Sequence, residues 1–426
     1  MIYLIFTFLG FILQIIILTF IKQYITDYET AAIIFISINF IFFTLDIYKY
    51  KLKIRNIIFS AYIIRLLAMF WDIYARNIFS FPGSGADTEA FLANGMRIFN
   101  NLNLLFIPAA RGLYTNTLGA IFYVILPHRL IGQYINVLLG VSIVVIVYKI
   151  LVMLVVNEKT IKYSMIIMAF FPNAVINSAI LLRENIIVFF ALLSFYYFIK
   201  WYKTTLNKYV IFSLVSLLVA SAYHSGVIGL AAGYIFMYLF YNHKKNKFVF
   251  SKNTVIIFLL LLVISTNVYI YYNDVFLAKF SRMKNIGDLY DVASARRGGS
   301  AYLTFVSINN WWQLILYSPI YMVYFLTSPL PWTWRGFGDI LAFSIDGIFY
   351  IYFLFYSIYF SRKYRFKDYI FIGTIISILA TVFIFGVGVQ NAGTAMRHRH
   401  KIVPIIIIAY AMVQDYKFKR RIDDNI

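Results

Sequence analysis

Two carboxylates two residues apart in a polar interval are one set of groups in this chain that could do chemistry. Asp87 and Glu89 lie in FPGSGADTEAFLANGMRIF, the first polar interval of any length in a sequence otherwise built from long apolar runs. A carboxylate can take the proton of an attacking hydroxyl that lies within hydrogen-bond reach. A pair can also offer oxygen ligands to a divalent cation. Arginine is the second reactive group. Arg183, Arg296, Arg297, Arg335, Arg397 and Arg399 stand in or beside polar breaks between apolar runs, accompanied by His224 and His398. A guanidinium presents a rigid fork of donors that suits phosphate, where lysine is a flexible point charge. This pattern makes the Asp87 and Glu89 interval the first to be weighed for chemistry. Arg183, Arg297, Arg397 and Arg399 become candidate phosphate ligands, and His224, Arg296, Arg335 and His398 candidates for positioning an acceptor or a phosphate. The competing structural roles are an N-cap for Asp87 and snorkelling to lipid head groups for single arginines.

Other chemistries find little here. The chain has no cysteine, which removes disulfides, thiolate metal sites and cysteine nucleophiles. No Walker-type phosphate loop or dinucleotide fingerprint is present, and RHRH alone is not a zinc site. No metal ligand set is assigned, although a divalent cation at Asp87 and Glu89 stays an alternative. The formal charge of +21 is not read as a nucleic-acid signal, because most of the excess lies in short basic stretches between apolar runs, where it sets membrane orientation.

The elements that must position these residues are membrane helices. The chain is 62% hydrophobic, with a mean hydropathy of +0.79, and apolar runs long enough to cross the bilayer recur along it. They are too long and too uniform for barrel strands. The expected fold class is all-α, a polytopic integral membrane protein read as one membrane domain over 1–426. About 11 crossings are expected, or 12 to 13 if 113–127 and 313–327 also cross; otherwise those two are re-entrant. The spans expected include 57–75, 131–155, 163–181, 185–200 and 254–272. The basic stretches YKYKLKIR, HKKNK, SRKYRFK and KFKRR place both termini in the cytoplasm by the positive-inside rule. Two long loops, 76–112 and 273–312, then emerge on the external side. The first would carry an interfacial helix starting at Thr88, capped by Asp87. Arg65 and Asp72, two helical turns apart in the third span, share a face that should point into the bundle or sit near its rim.

The segments ADTEAF, LGAIFYVI, NVLLGVSIVVIVYKI, AFFPNAVINSAILLRE, AYHSG and NAGTAMRHRHKIVP resemble the GT-C superfamily of polyprenyl-linked-sugar glycosyltransferases. More narrowly, they resemble bacterial surface-polysaccharide glycosyltransferases and oligosaccharide repeat-unit polymerases. The resemblance implies a GT-C-like fold in the bacterial cytoplasmic (inner) membrane with an external, periplasmic active face. It implies an undecaprenyl phosphate or diphosphate donor and a lipid-linked glycan acceptor, as in O-antigen or capsule assembly. Asp87 matches the catalytic acid of the family's first external loop, with Glu89 as second acid. Three spans precede that loop here, where simpler members have one, and this departure brings in the polymerase branch. There the external arginines carry the chemistry, which promotes Arg183, Arg297 and Arg397, and a chain-length regulator would be a partner. The rival class is a transporter of lipid-linked oligosaccharide, whose marks would be paired repeats and broken helices near the midplane.

Overall fold

In hydrocarbon a backbone N–H or C=O has no water to bond, so a long apolar run satisfies its peptide groups by forming a helix. The computed structural model describes residues 4–107, 112–257, 259–260, 299–304, 306 and 310–423. Seven of its helices are long and apolar enough to cross a membrane: Ile5–Tyr24, Tyr28–Ile47, Leu52–Tyr74, Arg129–Met153, Glu184–Thr204, Phe337–Lys363 and Tyr369–Gly388. The protein is an all-α, multi-pass membrane protein. Its residues fall into two units, Met1–Lys149 with Glu158–Phe189, and Ile150–Asn157 with Phe190–Ile426.

The first unit begins with α1 (Ile5–Ile21), α2 (Tyr28–Ile47) and α3 (Leu52–Tyr74). A short helix α4 (Ala86–Asn100) and α5 (Leu113–Val124) follow and pack side by side, Phe91 against Tyr114 and Ile98 against Gly119. Glycine permits their close approach: a Cβ on Gly119 would stand 2.5 Å from Ile98, and one on Gly95 3.1 Å from Leu118. The 12 residues of α5 span about 18 Å at the helical rise, well short of the roughly 30 Å hydrocarbon core. Helix α4 starts two residues earlier than its pattern predicts. Gly85 is the N-cap, and Thr88 Oγ1 both accepts from Gly85 N (3.0 Å) and donates to Gly85 O (2.9 Å). Asp87 therefore belongs to the first turn and is not the cap.

Beyond α6 (Arg129–Met153), the expected span 163–181 is in fact two pieces. These are α7 (Glu158–Phe170) and α8 (Pro172–Ala179). Pro172 cannot donate its N–H and clashes with the preceding turn, so one helix stops and the next starts on it. The chain then runs extended at Ile180 before α9 (Glu184–Thr204) begins.

The second unit holds α10 (Lys208–Tyr223), a 3₁₀ turn Ser225–Gly229 and α11 (Leu230–Phe240). The basic HKKNK stretch closes a small hairpin in which Tyr241 pairs with Phe248 and Asn242 with Lys247. Then come α12 (Trp311–Thr327), α13 (Phe337–Lys363, interrupted by a π turn at Phe343–Gly347), α14 (Tyr369–Gly388), α15 (Ala392–Arg399) and α16 (Val403–Asp423). Small residues let α11 and the turn before it lie almost backbone to backbone on α14. A Cβ on Gly233 would meet Gly373 O at 2.0 Å, and one on Gly229 would meet Thr381 Cα at 2.6 Å. Such small-residue contacts are the usual means of close packing between membrane helices. The run Ile405–Ile408 near the start of α16 is wholly buried. The span expected at 254–272 lies outside the described residues beyond 260. So does most of the loop 273–312.

Candidate functional site

The start of α6 reads RLIGQYIN, which places Arg129, Gln133 and Asn136 at spacings of four and three on one helical face. That face, buried within the first unit, organises the break between α8 and α9. Gln133 Nε2 donates to Ala179 O (2.6 Å), and Asn136 Nδ2 donates to Ile180 O (2.8 Å) and Leu182 O (2.9 Å). These are carbonyls that a helix end leaves without an intrahelical donor, so two side-chain amides make the interruption stable inside the protein. Asn185 closes the loop from the far side, donating to Asn136 O (2.9 Å) and Ser178 Oγ (2.8 Å). Arg65 reaches the same serine (3.2 Å) and also donates to Ala61 O, Ala169 O and Met168 O. Its side chain is fully buried, facing inward as the spacing with Asp72 predicts.

At its other end this buried network emerges among charges. Gln133 Nε2 also donates to Asp72 Oδ2 (2.7 Å); Asp72 further accepts from Arg76 Nη2 (2.9 Å) and Ser84 Oγ (2.6 Å). Arg76 Nη1 and Arg129 Nη1 then converge on Glu89 Oε1 at 2.5 and 2.6 Å. Glu89 is the accessible member, its side chain 48% exposed against 24% for Arg76 and 14% for Arg129. Partial burial works to raise the Glu89 carboxyl pKa, but the hydrogen bonds and charges of Arg129 and Arg76 prevail and hold it below the ordinary carboxylate range. A carboxylate so stabilised is a weak proton acceptor. Two guanidinium groups on it also compete with any cation for its oxygens.

Arg183 closes this region. It is the last residue before α9, half-buried, and its Nη1 lies 3.9 Å from where a Cβ on Gly112 would stand. Gly83, in the turn leading to α4, likewise faces Ile180 and Leu182 at 3.6 Å from its Cβ position. The interrupted helix, the turn before α4 and the start of α5 are thus one neighbourhood, with Asp87 half-buried in the first turn of α4. The adjacent Glu184 is fully buried.

In the second unit the expected residues divide. Arg399 is wholly buried. Nε and Nη2 engage Asp346, while Nη1 donates to Ser328 O (2.7 Å), Leu326 O (3.0 Å) and Phe325 O (3.4 Å). It caps the C-terminal carbonyls of α12. His224 and His398 do come together, Nε2 to Nε2 at 3.2 Å, and Lys401 Nζ lies 2.7 Å from His398 Nδ1. All three are buried, with the Phe385 ring against both imidazoles. Arg397 is half-buried on α15. Arg335 is exposed and pairs with Asp339. Arg296 and Arg297 lie outside the described residues.

Sequence reasoning did not select Arg76, Arg129, Gln133 or Asn136. The signal was there: three polar residues at helical spacing in the otherwise apolar run 129–155, and a carboxylate–arginine pair four apart at Asp72 and Arg76. No family model, curated protein or solved structure matches the chain.

Proposed function

We propose that the protein is a membrane glycosyltransferase. It moves a sugar or oligosaccharide from an undecaprenyl phosphate or diphosphate donor to a hydroxyl of a lipid-linked glycan, at the external face of the bacterial inner membrane. The observation that carries this reading is the buried network of the first unit. It ends in Arg76, Arg129 and Arg183, at the ends of the candidate spans α3, α6 and α9, around the start of α4, which is too short to serve as a span. Such a framework keeps guanidinium groups in place before a substrate arrives, which is what stabilising a developing phosphate charge requires. In the reaction the acceptor oxygen bonds to the anomeric carbon, the bond from that carbon to the phosphate oxygen breaks, and its electron pair leaves with the phosphate. The acceptor proton passes to a carboxylate. Glu89 is held by two arginines and suits an anchoring role, which leaves Asp87 as the proton acceptor.

The arginine-centred variant, repeat-unit polymerisation without an obligatory acid, draws support from the same engagement of Glu89. Purified chain in lipid, supplied with polyprenyl-linked sugar, separates the two. Loss of higher-mass product in both Asp87→Ala and Arg183→Ala supports acid-assisted transfer. Product retained in Asp87→Ala but lost in Arg183→Ala and Arg129→Ala supports the arginine-centred reaction. Movement of intact lipid-linked substrate across the bilayer with no new glycosidic bond would sink both and leave transport.

A further inference from the structure

Arg76 and Arg129 are each fixed from behind and presented forward by a single nitrogen. Arg76 Nε donates to Asp72 O (3.2 Å) and Nη2 to Asp72 Oδ2 (2.9 Å). Arg129 Nε donates to Gln133 Oε1 (3.2 Å), and its Nη2 lies 3.4 Å from Thr88 Oγ1 and 3.6 Å from Asp72 Oδ2. The groups behind are buried and held in turn, since Asp72 also accepts from Gln133 and Ser84. In both arginines the remaining nitrogen, Nη1, points forward, and both end on one atom, Glu89 Oε1, at 2.5 and 2.6 Å. The two donors therefore stand close enough for one oxyanion to bridge them.

Glu89 occupies that place on different terms. Its side chain is 48% exposed in the first turn of α4, and its Oε2 takes no hydrogen bond among the described residues. A carboxylate at the edge of water recovers hydration when it leaves an ion pair, whereas a buried one does not. Turning the Glu89 side chain outward frees both Nη1 groups and leaves Asp72 and Gln133 where they are.

We infer that the Arg76–Arg129 fork is a binding site for a dianionic phosphate group, with Glu89 as an internal counter-ion that the phosphate displaces. Charge sets the ligand class. A tethered carboxylate competes at an effective concentration on the order of millimolar, so a free carboxylate or a singly charged phosphodiester only replaces like with like. A phosphate monoester brings a charge of about −1.5 to −2 at pH 7 and three strong acceptor oxygens, enough to engage both guanidinium groups at once. The ligand class comes from the fork; that the phosphate is borne on a lipid rests on the transferase reading.

Isothermal titration calorimetry of the full chain in phosphatidylcholine nanodiscs, with methyl phosphate and dimethyl phosphate as probes, tests this. A site open in about one molecule in ten shows a Kd about tenfold above its intrinsic value. Glu89→Gln should therefore bind methyl phosphate about tenfold or more tightly than the wild type, and Glu89→Ala should show the same gain. Arg129→Gln added to Glu89→Gln should cancel it, with the unfolding midpoint measured for each variant. The wild-type chain should prefer methyl phosphate to dimethyl phosphate by about tenfold or more. Folded Glu89 variants that bind no more tightly than the wild type, a gain that survives Arg129→Gln, or equal wild-type affinity for the two probes would each overturn the assignment. Decyl phosphate bound more tightly than methyl phosphate, with the excess lost in Arg129→Gln, supports a lipid-borne ligand; equal affinities would overturn that source in favour of a soluble phosphate. Tightened binding in Glu89→Gln beside a wild-type chain that forms no glycosidic bond would refute the transferase reading and leave the site standing. Glycosyl transfer without the tightening would do the reverse.

Discussion

Replacing Arg399 with methionine asks whether this arginine braces the fold or binds phosphate. The substitution keeps most of the side-chain volume, removes the partner of buried Asp346 and strips a donor from the carbonyls of Phe325, Leu326 and Ser328. Stranding one member of a buried ion pair costs about 3–5 kcal/mol, and the orphaned end of α12 adds to that, with about 1–3 kcal/mol for a buried polar group left unsatisfied. Pairing Arg399→Met with Asp346→Leu removes the stranded charge and leaves chiefly the carbonyl term. The double variant should therefore be more stable than Arg399→Met alone by about 2 kcal/mol or more. Denaturant unfolding of the chain in lipid, followed by tryptophan fluorescence, measures all three. A cost below about 1 kcal/mol for Arg399→Met, or a double variant less stable than the single, would refute the brace. Arg399→Met that keeps its stability yet loses glycosyl transfer would return the residue to the phosphate site.

Three other outcomes follow from the same contacts. Gly233→Val drives side-chain atoms into the backbone of Gly373 and should lower the unfolding midpoint sharply; substitution at exposed Gly336, where a Cβ meets nothing, should not. Overpacking of the α4–α5 contact by Gly119→Ala should cost about 1–3 kcal/mol, and Ile98→Ala in the same chain should recover part of it, since Ile98 is what the new methyl strikes. The depressed pKa of Glu89 means its ionic contacts contribute stability that is fully present above the unfolded carboxyl value of about 4.3 and is lost as pH falls through the lower folded value. Glu89→Gln should accordingly be less stable at neutral pH and show a shallower loss below about pH 4.3; a wild-type acid limb that Glu89→Gln reproduces would show that the two arginines do not stabilise this carboxylate.

The hydrophobic pattern alone determines that this chain is a bundle of membrane helices, because in hydrocarbon no other backbone conformation satisfies a run such as Leu52–Tyr74. It also makes the polar interval around Asp87 conspicuous, and it turns Arg65 and Asp72 inward through simple helical spacing. The break at Pro172 was legible too, yet apolar character on both sides reads as one continuous span unless the proline is given priority. Tertiary structure decided the rest. Glu89 and Arg129 are 40 positions apart, Arg65 and Ser178 are 113 apart, and Asp346 and Arg399 are 53 apart. No local propensity encodes such pairings, since each arises only when packing removes two polar groups from water or lipid and leaves each the other's available partner. The fold, and not the residue types, therefore makes Arg399 a brace and gathers Arg76, Arg129 and Arg183 around the first turn of α4.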